Sequence, residues 1–355
     1  MAETRTSFVA LTCQVGAEPA VKRELSRERA AWRFAYSRPG FLTFKLGEGE
    51  SLDEDFHLKS VFARAYGLAL GAIREDSPSA RVAAVWDLAR GERFDALHVW
   101  PRDQLASGEH DFEPGITPGA VEAATQIRAA APNGAMGERG VGGAATRRGD
   151  RVLDVILVQE NEWFVARHRA HRVASLWPGG MFDAPLPEHA VSRAYLKMEE
   201  SIRWSRLPMR RGDVVFELGC APGGSCQALL DRGLRVTGID PAEVRAEVLS
   251  HANFRHLRKR AADVRRREFH EARWLAADMN VSPDHTLELV EAIITHPAAR
   301  VRGMLLTLKL HDWKLAEDVP AYLARVSSWG FAWSAARQLH HNRQEICLAA
   351  LRERK

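Results

Sequence analysis

The residues of this 355-residue chain best suited to chemistry surround one glycine-rich turn, Gly219-Cys220-Ala221-Pro222-Gly223-Gly224. It follows an apolar run (Val214, Val215, Phe216, Leu218), opens a helix, and is followed by a second apolar run over 234–239 that closes on Asp240. Residues 213–240 therefore read as a βαβ unit with an acid at the tip of its second strand. Glycines let a ligand approach the backbone, and a carboxylate at that tip accepts bonds from ribose hydroxyls, so an adenosine-bearing ligand is expected. The spacing is not the G-x-G-x-x-G of a dinucleotide site, and no Gly-Lys-Ser/Thr closes it as in a phosphate loop. Pro222 also removes a backbone donor that a pyrophosphate would use. S-adenosylmethionine carries no phosphate and loses nothing by that.

Ligands of open α/β sheets bind at the carboxyl ends of the strands. The predicted strands bring Gly219, Asp240, Asp263, Asp278 and Lys309 to such ends, with Asp263 where the third strand should stop. Lys197 falls on a predicted helix over 192–204, off its apolar stripe, where a lysine is ordinarily solvated; Glu345 lies on the terminal hairpin. Methyl transfer from a sulfonium to a hydroxyl needs an in-line approach and a proton acceptor. A lysine, with a pKa of about 10.4 unperturbed, serves only if burial or a nearby cation pulls it down. Lys309 on an apolar strand, with Lys197 as the second cation, meets that requirement; Asp278 and Glu345 would hold Lys197 charged. The bland alternative for Lys309 is a strand-end lysine reaching to solvent. His340 and His341, adjacent in a predicted strand, would point to opposite faces, and no metal site is expected. Trp313, in a loop past the fifth strand, is placed to stack on a base, whereas Trp274, Trp329 and Trp333 read as packing.

The elements that must carry these residues form a seven-stranded Rossmann-like sheet over 181–355, its last two strands a hairpin. Upstream, 1–77 reads as a small α+β layer of ferredoxin-like type, with strands over 7–15 and 32–45 broken at Pro39-Gly40 and a helix over 18–28. Residues 78–180 form a second small unit with strands over 96–100, 152–159 and 163–168, a helix over 118–131, and a Gly, Ala and Arg-rich loop over 133–150. The length suits two or three domains, and 46% hydrophobic with 27% charged residues is ordinary for a globular protein. No long apolar run or signal sequence is seen, so a cytoplasmic location is expected. Four cysteines without CxxC pairing argue against a zinc ribbon or disulfide framework. The net charge is only +4, but six arginines and a lysine cluster over 255–267, compatible with a polyanionic partner.

With the glycine turn, the helix SRAYLKMEE, AADM at Asp278, TLKL at Lys309 and HNRQEICL at Glu345, the chain resembles the ribosomal RNA large subunit methyltransferase M family. The upstream pieces GAEPAVKREL and VFARAYGLALG resemble that family's N-terminal region. The resemblance implies a ferredoxin-like domain (1–77), a THUMP-like RNA-binding domain (78–180) and an FtsJ-like 2′-O-methyltransferase domain (181–355). It implies that Lys197, Asp278, Lys309 and Glu345 form a tetrad with Lys309 as proton acceptor. S-adenosylmethionine would be held by Ser192, Gly219, Ala221, Pro222, Gly223, Gly224, Asp240, Asp263 and Asp278. The implied acceptor is a cytidine 2′-hydroxyl of large-subunit rRNA before assembly is complete, and a monomer is expected. The family commonly carries a bulky aromatic where Ser225 stands, so the methionine end of the pocket is expected to be reshaped. Two other readings compete: a methyltransferase for tRNA or a small molecule, and a non-catalytic RNA-binding assembly factor.

Overall fold

The computed structural model describes residues 7–137 and 145–353, so the expected loop over 133–150 lies partly outside the described residues. The chain divides into two compact units, Met1–Asp183 and Ala184–Lys355.

The first unit contains β1 (Phe8–Thr12), α1 (Glu18–Glu28), β2 (Arg33–Arg38), β3 (Phe41–Lys45), β4 (Ala65–Arg74), α2 (Pro78–Leu88), β5 (Ala96–Pro101), α3 (Pro118–Ala129), β6 (Arg151–Gln159) and β7 (Glu162–Arg169). Its strands form one seven-stranded sheet in the order β2-β3-β1-β4-β7-β6-β5. Residue 77, the expected boundary between two small domains, thus falls inside a unit whose sheet is continuous, because β4 pairs with β7. The β2–β3 hairpin turns at Gly40, whose φ of +73° favours glycine and whose missing Cβ leaves room for the Asp103 backbone. Glu18 accepts from the N–H groups of Gly16 (2.8 Å) and Gly40 (2.6 Å), tying the start of α1 to that turn. Helix α2 has no counterpart in the sequence reading. Its start is nonetheless marked by Ser77, whose hydroxyl accepts from Ala80 N–H, and by Pro78 in the first turn.

The second unit contains α4 (Ala194–Ser205), β8 (Val214–Leu218), α5 (Gly224–Asp231), β9 (Arg235–Ile239), α6 (Ala246–Leu249), β10 (Phe254–Leu257), β11 (Trp274–Ala277), α7 (Pro283–Ile294), β12 (Gly303–Lys309), α8 (Val319–Ser328), β13 (Trp333–Arg337) and β14 (Glu345–Leu351). The sheet order is β10-β9-β8-β11-β12-β14-β13, with β14 antiparallel to both of its neighbours. This is the seven-stranded sheet with a terminal hairpin expected from the pattern. Two details differ. Strand β10 stops at Leu257, and Asp263 sits beyond it on a 3-10 turn (Ala261–Asp263), exposed. Arg258, Lys259 and Arg260 intervene; they are exposed charges on the edge of the sheet, where continuing the strand would bury nothing. Strand β13 stops at Arg337, so His340 and His341 are not strand neighbours on opposite faces. Their rings lie 4.5 Å apart in the turn before β14.

Candidate active site

The site is built by strand register. Lys309, the last residue of β12, lies directly across from Glu345, the first of β14. Ala277 of β11 pairs with Leu218 of β8, so Asp278 and Gly219 leave adjacent strands side by side. A Cβ on Gly219 would come within 2.7 Å of the Asp278 carbonyl oxygen, and its φ is +78°. Only glycine fits both demands.

Lys197 enters from the first turn of α4. That helix is seated by Tyr195, Leu196, Met198 and Ile202 in the core, and Tyr195 Oη donates to Asp231 on α5 (2.8 Å). Gln227 of α5 fixes the preceding segment, accepting from Val191 N–H (2.7 Å) and donating to the His189 carbonyl (2.8 Å). Lys197 is not the solvated lysine that its place off the stripe suggests. Its Nζ lies 2.6 Å from Asp278 Oδ2 and 2.8 Å from Glu345 Oε1. Lys309 Nζ meets Asp278 Oδ1 at 2.9 Å and bonds Glu345 Oε2. Two ammonium and two carboxylate groups close into a ring of alternating charge. Side-chain exposures of 17, 18, 19 and 6% for Lys197, Asp278, Lys309 and Glu345 leave it reachable but poorly hydrated.

The ring corrects the expected electrostatics of Lys309. Burial pushes its ammonium down, but the carboxylates of Asp278 and Glu345 together push it further up, above the ordinary lysine range. Asp278 moves the other way: burial raises it, and Lys197 and Lys309 outweigh that to hold it below the usual carboxylate range. Both shifts favour the charged forms of Lys309 and Asp278.

Sequence reasoning missed the groups that position Glu345. Glu200 on α4 accepts from the backbone N–H groups of His340 and His341, both at 2.9 Å, and so anchors the turn before β14. Asn342 in that turn donates to Glu345 Oε1 (3.3 Å) and accepts from Leu339 N–H (2.9 Å). The only hint was that HNRQEICL places Asn342 three residues before the acid.

Around the glycine turn, Asp240 Oδ2 accepts from Ala221 N–H (3.1 Å) and Oδ1 from Ala242 N–H (2.8 Å), which fixes the turn and leaves further lone pairs on the carboxylate. A Cβ on Gly224 would strike Ser192 Oγ. That hydroxyl is buried and has no hydrogen-bond partner among the described residues. An unmatched hydroxyl beside a cradle that side chains would fill fits the polar parts of an adenosine-bearing ligand. Pro222 and Gly223 complete the turn, while Asp263 lies away from the strand ends. Ser225 turns its hydroxyl down onto Glu217, a wholly buried acid on β8 that also accepts from Cys226 Sγ (2.8 Å). Burial raises Glu217 to about 7, moderated by the bonds from Cys226 and Ser225. Trp313 is half-buried on a 3-10 turn, and Trp274 is fully buried, its indole N–H donating to Asp213 (2.8 Å).

A family model described as FtsJ-like methyltransferase matches residues 190–315. Relatives named Ribosomal RNA large subunit methyltransferase M include that of Alkalilimnicola ehrlichii, 33% identical over 50% of this chain and 50% of its own. That of Thauera aminoaromatica is 29% identical over 57% of each. The chain spans about half the length of the curated relatives it matches. Among solved structures, TrmN from Thermus thermophilus aligns over 97% of this chain and 99% of its own at 15% identity, a distant likeness with a TM-score of 0.37. Residues 190–315, within the second unit, thus match an FtsJ-like methyltransferase family model, and about half of the chain is similar in sequence to proteins named Ribosomal RNA large subunit methyltransferase M.

Proposed function

We propose that this chain methylates a ribose 2′-hydroxyl of large-subunit rRNA, a cytidine in particular, with Lys309 as the proton acceptor. The observation that carries the proposal is the closed ring of Lys197, Asp278, Lys309 and Glu345 at the strand ends beside the glycine turn. S-adenosylmethionine, when bound, supplies a methyl group on a positively charged sulfur. Ser192, Gly219, Ala221 to Gly224, Asp240 and Asp278 would hold it, with Asp263 as a more distant candidate. Attack by a ribose hydroxyl releases a proton, and in this reading Lys309 takes it once its own surplus proton has left. Lys197 reaches the other oxygen of each acid. It keeps both carboxylates turned inward when Lys309 is neutral.

The RNA assignment draws on the names of the relatives and on the exposed Arg255, Arg258, Lys259, Arg260, Arg265 and Arg267. The first unit would add an RNA-binding surface of ferredoxin-like and THUMP-like parts. Action on rRNA before assembly is complete, as a cytoplasmic monomer, belongs to the same proposal. Among the described residues no helix is long and apolar enough to cross a membrane.

The test is transfer from labelled S-adenosylmethionine to total RNA from cells lacking the gene, with nucleoside analysis of the product. Label in 2′-O-methylcytidine of large-subunit rRNA is expected. Label in tRNA or a small molecule would move the acceptor, and tight donor binding with no transfer would leave an assembly factor.

A further inference from the structure

Three adjacent strands of the first unit each contribute one residue to a cluster that methyl transfer does not use. His98 on β5 is directly opposite Asp154 on β6, and His168 on β7 is opposite Val152, two residues along β6 and so on the same face as Asp154. The neighbours on that face, Trp100, Ile156 and Ala166, are apolar core. The three side chains are only 4, 3 and 9% exposed, respectively.

Buried polar atoms are normally bonded, and here the accounting is incomplete. The outer nitrogens are satisfied: His98 Nε2 is 2.8 Å from Thr146 Oγ1, and His168 Nε2 donates to the Ser175 carbonyl at 3.0 Å. The inner atoms are not. His98 Nδ1 and Asp154 Oδ1 face each other across 3.7 Å, too far for a hydrogen bond, and neither has another partner among the described residues. His168 Nδ1 lies 2.6 Å from Asp154 Oδ2. A cavity of about 10 Å³, large enough for one water, borders all three residues together with Tyr66 and Ser175. Two arginines also border it. Arg64 is bonded to Asp103 at 2.6 and 2.9 Å, and Arg172 stacks on the Tyr66 ring at 3.8 Å.

We propose that His98 Nδ1, His168 Nδ1 and the Asp154 carboxylate form a binding site for a divalent transition-metal ion, zinc by its donor set, with a water as fourth ligand. Two imidazoles and a carboxylate are a recurrent zinc set, and ligating histidines commonly give the other ring N–H to a carbonyl or similar acceptor, as His168 does. The donor atoms already lie within 4.8 Å of one another. Tetrahedral bonds of about 2.0–2.1 Å would set the donor atoms roughly 3.3 Å apart, which closes the 3.7 Å gap at His98 and opens the 2.6 Å contact at His168. The ion would clamp β5, β6 and β7 together.

The test uses the full chain without a histidine tag, stripped with a chelator. Zinc is titrated calorimetrically, and cobalt(II) is followed by its visible spectrum. One zinc per chain is expected, with a raised Tm and the intense bands of four-coordinate cobalt. Asp154→Asn and His98→Ala, each checked for folding by circular dichroism, are expected to weaken binding on the order of 100-fold or more. If neither variant folds, the wild-type cobalt spectrum and stoichiometry decide. Absence of saturable binding, or equal binding by folded variants, would overturn the site and leave a buried imidazolium–carboxylate pair of His168 and Asp154.

Discussion

In the second sheet, Lys197, Asp278, Lys309 and Glu345 close a ring in which every carboxylate oxygen meets an ammonium. In the first sheet, His98, Asp154 and His168 leave a nitrogen and an oxygen facing each other unbonded. The ring balances two positive charges with two negative ones at the open ends of strands, where a substrate can arrive. The histidine cluster lies within the strands on a buried face and has fewer donors than acceptors to satisfy. Low dielectric makes paired charges strong and unpaired ones costly. The first cluster therefore pairs its charges internally, while the second leaves two buried atoms for the ion proposed above.

The largest expected effect comes from breaking the ring at Lys309, the proposed proton acceptor. Lys309→Ala should slow single-turnover methyl transfer by about 10²–10⁴-fold while leaving S-adenosylmethionine affinity, read by equilibrium binding, within a few fold. Lys309→Arg should be as inactive, because a guanidinium keeps the charge but does not deprotonate in proteins. An active arginine variant would make the lysine a mere counter-ion.

Glu217 sharpens the comparison as a buried acid with no cation in bonding contact among the described residues. Its folded pKa of about 7 lies above the ordinary value of 4.5, so it favours the fold below that ordinary value and loses this contribution as pH rises toward 7. Glu217→Gln should therefore gain stability over the wild type at pH 8, by about 3 kcal/mol at most, and little at pH 4.5. Denaturant melts at the two pH values check this; an equal difference at both would exclude the titration.

A smaller effect is expected from the exposed Arg258, Lys259 and Arg260, of which Arg258 meets an exposed acid, Glu243, at 3.1 Å. Replacing Arg258, Lys259 and Arg260 by alanine should reduce the slope of log RNA affinity against log salt by about 2, if each neutralises one phosphate of a single strand. An unchanged slope would return the segment to a solvated face.

Much of this was legible in order along the chain. Helix α1 (Glu18–Glu28) and strand β14 (Glu345–Leu351) follow their apolar patterns to the residue, and the glycine turn lies at the end of β8 as its apolar run implied. What escaped depended on partners distant in sequence. The raised pKa of Lys309 comes from Asp278 and Glu345, which no local pattern around TLKL reveals. Lys197 looked solvated because helical periodicity shows the apolar stripe but not which strand end the flank of that stripe meets. Helix α2 escaped although Val82, Val85, Trp86 and Ala89 keep helical spacing; the buried face they share also takes in Arg81, which donates to the carbonyls of Glu75 and Asp76. His98, Asp154 and His168 have no motif spacing at all and converge only through the register of three strands.

The most direct measurement is the pH dependence of single-turnover transfer to RNA at saturating donor. If Lys309 must lose the proton that Asp278 and Glu345 hold on it, the rate should rise about tenfold per pH unit from pH 6.5 to 9. A rate independent of pH across that range, with Lys309→Ala still impaired, would contradict Lys309 as the proton acceptor.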